Sequence, residues 1–471
     1  MGKPNYKYTK SFRSRTIFAA TIGLGMLSAA IYWINFKIYD LVPMFAGPAR
    51  IQFYVIMFLF LGVLYLAAVF LVVKMMPENK STWSLTGIII FLAIIFRLGL
   101  IAQEPAVLSS DMYRYIWDGR VQQHGINPYL YAPSADKLEN LRDGRIFPHI
   151  NRKDYPSLYP AGAQVFFRIF YILVGDSVTG FKGIIVFFDL LTLLVLIALL
   201  RIRRLNVSRI IVYAWSPLVI FETAYSGHLE GLTVFLIVTA FYLTAVHKKT
   251  SATIVLALSA AVKLYPALLL AALLNRGNRV KGIIVFGVTI ILLYLPFAGA
   301  GGKITGFLPV YLKNPYESFN LGLKHLVMRL IPELDYFMLS LVFIIALALA
   351  GLIFLMKEKK DIEVLRYAYI LAGLLLILMP ASLQPWYVIL IIPLLVIYPN
   401  PAWLIFTCTV TLSYLKYATP QGIMPGWVLL AEYLSLFVIL TAGFILSKYT
   451  GWNKIIRLAL SGKKEEIEGV S

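Results

Sequence analysis

A chain of 471 residues that is 60% hydrophobic and only 14% charged, with a mean hydropathy of +0.78, is too apolar for a set of soluble domains and reads as a polytopic membrane protein. A formal net charge of +20 would suggest nucleic acid in a soluble protein, but here the basic residues gather at the ends of apolar runs, where they report topology, so no nucleic-acid partner is expected. The single cysteine, Cys408, excludes an intramolecular disulfide and any cysteine-based metal cluster.

Lys3, Lys7, Lys10, Arg13 and Arg15 precede the first apolar run, 16–36, which has no clear cleavage site and is read as a span that leaves the N-terminus in the cytosol. A second span at about 51–73 returns to a turn holding Lys74 and Lys80, and a third at about 85–102 leads outward. There begins the longest polar interval of the chain, Ser109 to Gln164, with carboxylates at Asp111, Asp118, Asp136, Glu139, Asp143 and Asp154, arginines at Arg114, Arg120, Arg142, Arg145 and Arg152, and His124 and His149. Two helices can be joined by a short turn, so a loop of this length points to function.

The apolar stretch 161–175 is too short to cross roughly 30 Å of hydrocarbon and is read as interfacial or partly inserted, which keeps the basic segment 201–209 in the cytosol after a span at 180–200. Spans follow at about 208–225 and 229–247. The run 251–274 has basic flanks on both sides and Lys263 and Pro266 in its middle, so it is expected to be a hairpin that enters from the cytosol and turns at KLYP. A span at 282–297, a second outer loop with His325, and spans at 336–356, 363–380, 384–398, 401–417 and 427–446 complete the chain. The expectation is an all-α bundle of about twelve crossings plus one hairpin, a single membrane unit over 1–471 with both termini cytosolic.

On this topology the unusual polar groups converge on the outer face: Asp111, Arg114, His124 and His149 in the first loop, His228 and Glu230 in SGHLEG, His325 in the second loop, and Gln384, Trp386 and Tyr387 in LQPWY. Helical spacing in DMYRYIWDGR sets Asp111, Tyr115 and Asp118 on one face, with Asp118 placed to pair with Arg114. Asp111 either complements the helix N-terminus or faces a cleft. Charges inside spans default to function or pairing, and these are Arg97, Asp189, Glu222 and Lys263. Arg97, near the outer end of its helix, is placed to snorkel; Asp189 would pair with Arg97 or Lys263; Lys263 has no acidic neighbour in sequence, which favours an anionic ligand. Asp111, His228 and Glu230 are suitable ligands for a divalent metal, but their spacing is not diagnostic and metal dependence stays open.

SSDMYRYIWDGRVQQHGINPYLYAP followed by LRDGRIFPHINRKDYPSLYP resembles the first outer loop of GT-C class membrane glycosyltransferases, in particular the polyprenyl-phosphate-mannose-dependent alpha-mannosyltransferases of bacteria and archaea. Three later stretches agree in order: YAWSPLVIFETAYSGHLEGL, AAVKLYPALLL and LQPWYVILIIPLL. The resemblance implies a GT-C-like bundle with short outer helices, in which 1–80 is an added helix pair, 81–400 the core with outer loop 102–179, and 401–471 the C-terminal helices and tail. It also implies a multi-pass protein of the cell (inner) membrane whose active site faces the periplasm or exterior. A polyprenyl-phosphate sugar would come from the lipid bilayer, and a glycan, lipid or protein acceptor from the aqueous side. Asp111 maps onto the family's proposed base. Arg114 and Lys263 are expected to hold the donor phosphate, and Tyr115, Asp118, His149, His228, Glu230, Gln384, Trp386 and Tyr387 to line the substrates. At SGHLEG relatives often carry Asp, and Glu230 keeps the charge with a longer reach.

The chemistry is consistent with this. A sugar on a polyprenyl phosphate has a good leaving group, so catalysis needs a base for the acceptor hydroxyl and cations for the departing phosphate. The expected activity is therefore an inverting transfer of a hexose, mannose by the resemblance. Two alternatives remain at this point: a glycolipid transporter or flippase, for which Lys263 and Asp189 are the expected kind of residue, and a lipid-carrier oligosaccharide ligase on the same fold.

Overall fold

The structure is a computed structural model that describes residues 6–41, 47–75, 83–103, 108–306, 309 and 319–449. The middle of the second outer loop and the basic C-terminal tail lie outside the described residues. Among those described, every regular element is helical. Three long apolar helices open the chain, α1 (Tyr6–Leu41), α2 (Pro48–Phe70) and α3 (Trp83–Ile101). The outer loop contributes α4 (Asp111–Gln123) and α5 (Ala161–Val174), and α6 (Val178–Ile202) descends from it, started by the Ser177 hydroxyl, which accepts from the Gly180 N–H at 3.0 Å.

Among the described residues, seven helices are long and apolar enough to cross a membrane, and eight if the bent pair Val207–Ala214 and Pro217–Tyr225 is one span. That pair bends by 57° where Pro217 cannot continue the hydrogen-bond ladder. The expected count of about twelve is not reached by length, because four of the apolar runs form shorter helices. These are α9 (Glu230–Ala245, 16 residues), Val364–Ile377 (14 residues), Pro385–Ile397, and Pro401–Thr409 continued by a 3-10 turn to Ala418. At about 1.5 Å per residue α9 and Val364–Ile377 span roughly 21–24 Å, and the α-helical part Pro401–Thr409 only about 14 Å. α5, with 14 residues, is also short, as the charge argument required.

The stretch 249–273 is a hairpin. α10 (Lys249–Val262) runs up to Lys263, where the backbone turns extended, and the chain comes back through the 3-10 turn Tyr265–Leu269 and α11 (Leu270–Leu273). Both ends of the hairpin meet one segment: Lys249 pairs with Asp361 at 2.9 Å, and Lys359 donates to the Ala271 carbonyl. The same end of the bundle collects Arg203, which donates to the Ile362 carbonyl at 2.8 Å, and His247, 3.0 Å from Asp361. From this basic end, α10, Val364–Ile377 and Pro385–Ile397 each lead to the cavity described below.

Arg97 does not snorkel. It is fully buried, with Nε 2.5 Å from Asp189 Oδ2 and Nη1 donating to the Ala214 carbonyl at 2.9 Å, while the Tyr213 hydroxyl donates to Asp189 Oδ1 at 2.8 Å. This ties α3, α6 and the bent span together, and removing either charge alone would cost about 3–5 kcal/mol. Close packing then fixes the outer layer: a Cβ at Gly119 would meet the Phe167 carbonyl at 2.6 Å, and one at Gly162 would meet the Ala261 backbone at 2.7 Å. These two glycines let α4, α5 and α10 approach until their backbones touch.

Candidate active site

A cavity of about 830 Å³ opens at the end of the bundle away from the basic loops, a volume suited to a substrate-sized ligand. Of the residues expected at the site, Asp111, Arg114, Lys263, Gln384, Trp386 and Tyr387 line it. They come from α4, the hairpin tip and the start of Pro385–Ile397, elements far apart in sequence.

Asp111 is the first residue of α4. Its carboxylate makes no capping hydrogen bond; Oδ1 accepts from Asn151 Nδ2 at 2.7 Å, and the side chain is 20% exposed on the cavity side. The first turn is instead held by Ser109, whose hydroxyl accepts the Asp111 N–H at 3.3 Å. A partly exposed carboxylate with one oxygen anchored and the other not fully committed has the geometry of a proton acceptor.

Three cations share the cavity wall, Arg114, Arg152 and Lys263. Arg114 forms the expected i, i+4 pair, Nε to Asp118 Oδ1 at 2.9 Å, and both terminal nitrogens donate to the Tyr155 carbonyl at 3.2 Å. Asp118 is buried and accepts in addition from Ser157 at 2.5 Å and Gln164 at 2.9 Å, so it braces the loop and reaches the cavity only through Arg114. Lys263 is paired with Glu230, not with Asp189: Nζ lies 3.2 Å from Glu230 Oε1, with side-chain exposures of 11% and 0%. Neither Glu230 oxygen accepts a hydrogen bond from any described residue, so this carboxylate depends on the lysine. The lysine ammonium also lies 5.4 Å from the Tyr387 ring centre and 5.9 Å from that of Tyr159.

Tyr115 is wholly buried behind the wall, stacked on Phe167 at 4.8 Å, and His149 is exposed and lies tilted against Tyr113 with ring centres 4.9 Å apart; neither lines the cavity. His228 is fully buried behind Trp386, with ring centres 4.0 Å apart. Sequence reasoning passed over Asn151, Arg152, Tyr155 and Tyr159, which form one wall. The dense run NRKDYPSLYP was the available signal, and Arg152 is marked further by a φ of 48°, a left-handed conformation that aims this part of the loop at the cavity.

Away from the cavity, Arg120 clamps the outer loop, with Nη2 2.6 Å from Asp143 and 2.7 Å from Asp176. Burial alone would raise the Asp143 pKa, but the Arg120 hydrogen bond and the Phe147 and Ile146 N–H groups outweigh it and hold the carboxyl at about 2. Among the described residues, no group of three or more His, Cys, Asp or Glu side chains is arranged to hold a metal ion.

Residues 12–275, more than half of the chain, match the family described as alpha-(1->6)-mannopyranosyltransferase, N-terminal domain. No curated protein and no solved structure matches the chain.

Proposed function

The chain belongs to the alpha-(1->6)-mannopyranosyltransferase family, and on that premise we propose that it transfers mannose from a polyprenyl-phosphate donor to a hydroxyl of an extracytoplasmic glycan, lipid or protein acceptor, with inversion. Membership of the family and the apolar helices make it a membrane glycosyltransferase that needs a sugar donor and an acceptor. The observation that carries the finer reading is one cavity in which the open carboxylate of Asp111 shares the wall with Lys263, Arg114 and Arg152.

In this reading the acceptor oxygen attacks the anomeric carbon and its proton passes to Asp111. The bond from that carbon to the phosphate oxygen breaks, the electron pair leaves with the phosphate, and Lys263 and Arg114 neutralise the charge that develops there. Aromatic faces at Tyr159, Trp386 and Tyr387, and the buried Gln384 Oε1, which lacks a hydrogen-bond partner among the described residues, suit a sugar ring with its alternating apolar faces and hydroxyls. The basic loops at the opposite end support a cytosolic placement of that end in the cell membrane, and hence a cavity that faces outward. The transporter alternative rested on Asp189 and Lys263 as intramembrane charges, and each has an internal partner, Arg97 and Glu230 respectively.

The test is the full-length Asp111→Asn variant, supplied with radiolabelled polyprenyl-phosphate mannose and a mannoside acceptor. Donor binding is expected to persist while transfer falls by roughly 10²–10⁴-fold. Turnover near that of the native protein in a folded variant would refute the assignment.

A further inference from the structure

Behind Asp111 lies a buried line of hydrogen-bonding groups that the transfer chemistry above leaves unused. Glu222 sits in a π-helical turn of the bent span, Phe221–Tyr225, and is 1% exposed. Its Oε1 accepts from the Tyr414 hydroxyl at 2.5 Å, and its Oε2 lies 2.8 Å from His228 Nδ1. On the other side of the imidazole, Nε2 is 3.0 Å from Ser109 Oγ and 3.9 Å from Asp111 Oδ2. Gly227, with a φ of +70°, lets the turn pass over α4, since a Cβ there would fall 2.0 Å from Met112 Cε. The histidine is thereby brought onto the first turn of the helix that carries the base.

A carboxylate that accepts on both oxygens requires the hydrogen to be on Nδ1, which fixes the tautomer and aims Nε2 at Ser109 and Asp111. The stacked Trp386 closes one face of the ring. A histidine that only filled core space would not need both nitrogens directed, one of them toward the cavity carboxylate. Accepting the transferase reading above, we propose that His228, clamped by Glu222 and Tyr414, is the positioning residue for Asp111. It holds Ser109 and, through it, the first turn of α4, so that the free Asp111 oxygen faces the acceptor hydroxyl. In the transfer step the acceptor O–H bond breaks, its proton ends on Asp111, and His228 keeps its own proton on Nδ1.

The test compares two nucleophiles in full-length His228→Asn, with polyprenyl-phosphate mannose as donor. Methyl alpha-mannoside must lose a proton to react. Azide must not, and it yields mannosyl azide and polyprenyl phosphate directly. Transfer to the mannoside is expected to fall at least about 10-fold, part of the roughly 10²–10⁴-fold that a positioned base contributes, while azide turnover and the KM for donor stay within about twofold. Glu222→Gln and Tyr414→Phe should show the same split to a smaller degree, and they decide the matter if His228→Asn does not fold. Parallel loss of both reactions, or unchanged transfer to the mannoside, would overturn the role of His228 alone. A native protein that consumes no donor with either nucleophile would overturn the transferase reading with it.

Discussion

Replacing Lys263 with methionine removes the positive charge 3.2 Å from a fully buried Glu230 whose oxygens have no hydrogen-bond donor among the described residues. Stranding such a carboxylate is expected to cost about 3–5 kcal/mol of stability. Glu230→Gln should cost less, about 1–3 kcal/mol, because Lys263 already reaches the cavity and can be solvated there. The double variant replaces the pair with neutral groups of similar shape and should recover most of the loss, since buried ion pairs exchanged together are often close to neutral. Donor binding should behave differently. A charge-assisted contact between lysine and phosphate contributes about 1.5–3 kcal/mol, so affinity should drop roughly 10- to 150-fold in Lys263→Met and stay low in the double variant. Denaturation midpoints in detergent give the first quantity, and calorimetric titration with polyprenyl-phosphate mannose gives the second. A double variant no more stable than Lys263→Met would show that Glu230 is not the group the lysine supports. One that binds donor as the native protein does would remove Lys263 from the phosphate site.

A beta-linked polyprenyl-phosphate mannose should give an alpha-linked product by single displacement, read from the anomeric NMR signals; retention or a sugar trapped on Asp111 would mean a double displacement. In a Cys408→Ser background, a cysteine replacing the exposed Lys137 should react with an impermeant thiol reagent added outside, whereas cysteines replacing Lys248 and Arg276 should not, and labelling of the last would dismantle the hairpin topology. Because the folded-state pKa of Asp143 is depressed to about 2, its support of the outer loop is present above the ordinary carboxylate range and is lost as pH falls toward that value. The protection factors of amides in residues 136–149, corrected for the intrinsic pH dependence of exchange, should therefore fall on acidification below about pH 4 in the native protein and start out lower in Asp143→Asn, and an equal pH response in both would refute it.

The apolar runs, the short α5 and the hairpin were legible because hydrophobic length and flanking charge act locally along the chain. The Arg114–Asp118 pair was legible for the same reason, being one helical turn apart. What stayed open depended on distant partners. Arg97 was placed either to snorkel or to pair with Asp189, and only the approach of residues 92 apart decides for the pair; Lys263 read as having no acidic neighbour in sequence because Glu230 approaches only across the turn into α10. The crossing count is not confirmed by helix length, because α9 and Pro385–Ile397 offer apolar composition in fewer residues than a full span. The Tyr414–Glu222 contact joins positions 192 apart, so Glu222 could be noticed as a costly intramembrane charge but not connected to Asp111.

The hairpin also acts as a ruler. Its base is pinned at Lys249 by Asp361 and at Ala271 by Lys359, so the number of residues in α10 sets the depth and bearing at which Lys263 meets Glu230 at the tip. One residue inserted into α10 would raise the ammonium by about 1.5 Å and turn it by about 100°, away from Glu230 and out of the cavity. Chains that share this chemistry should therefore hold the spacing between the basic anchor and the tip lysine fixed, even where the residues between them drift.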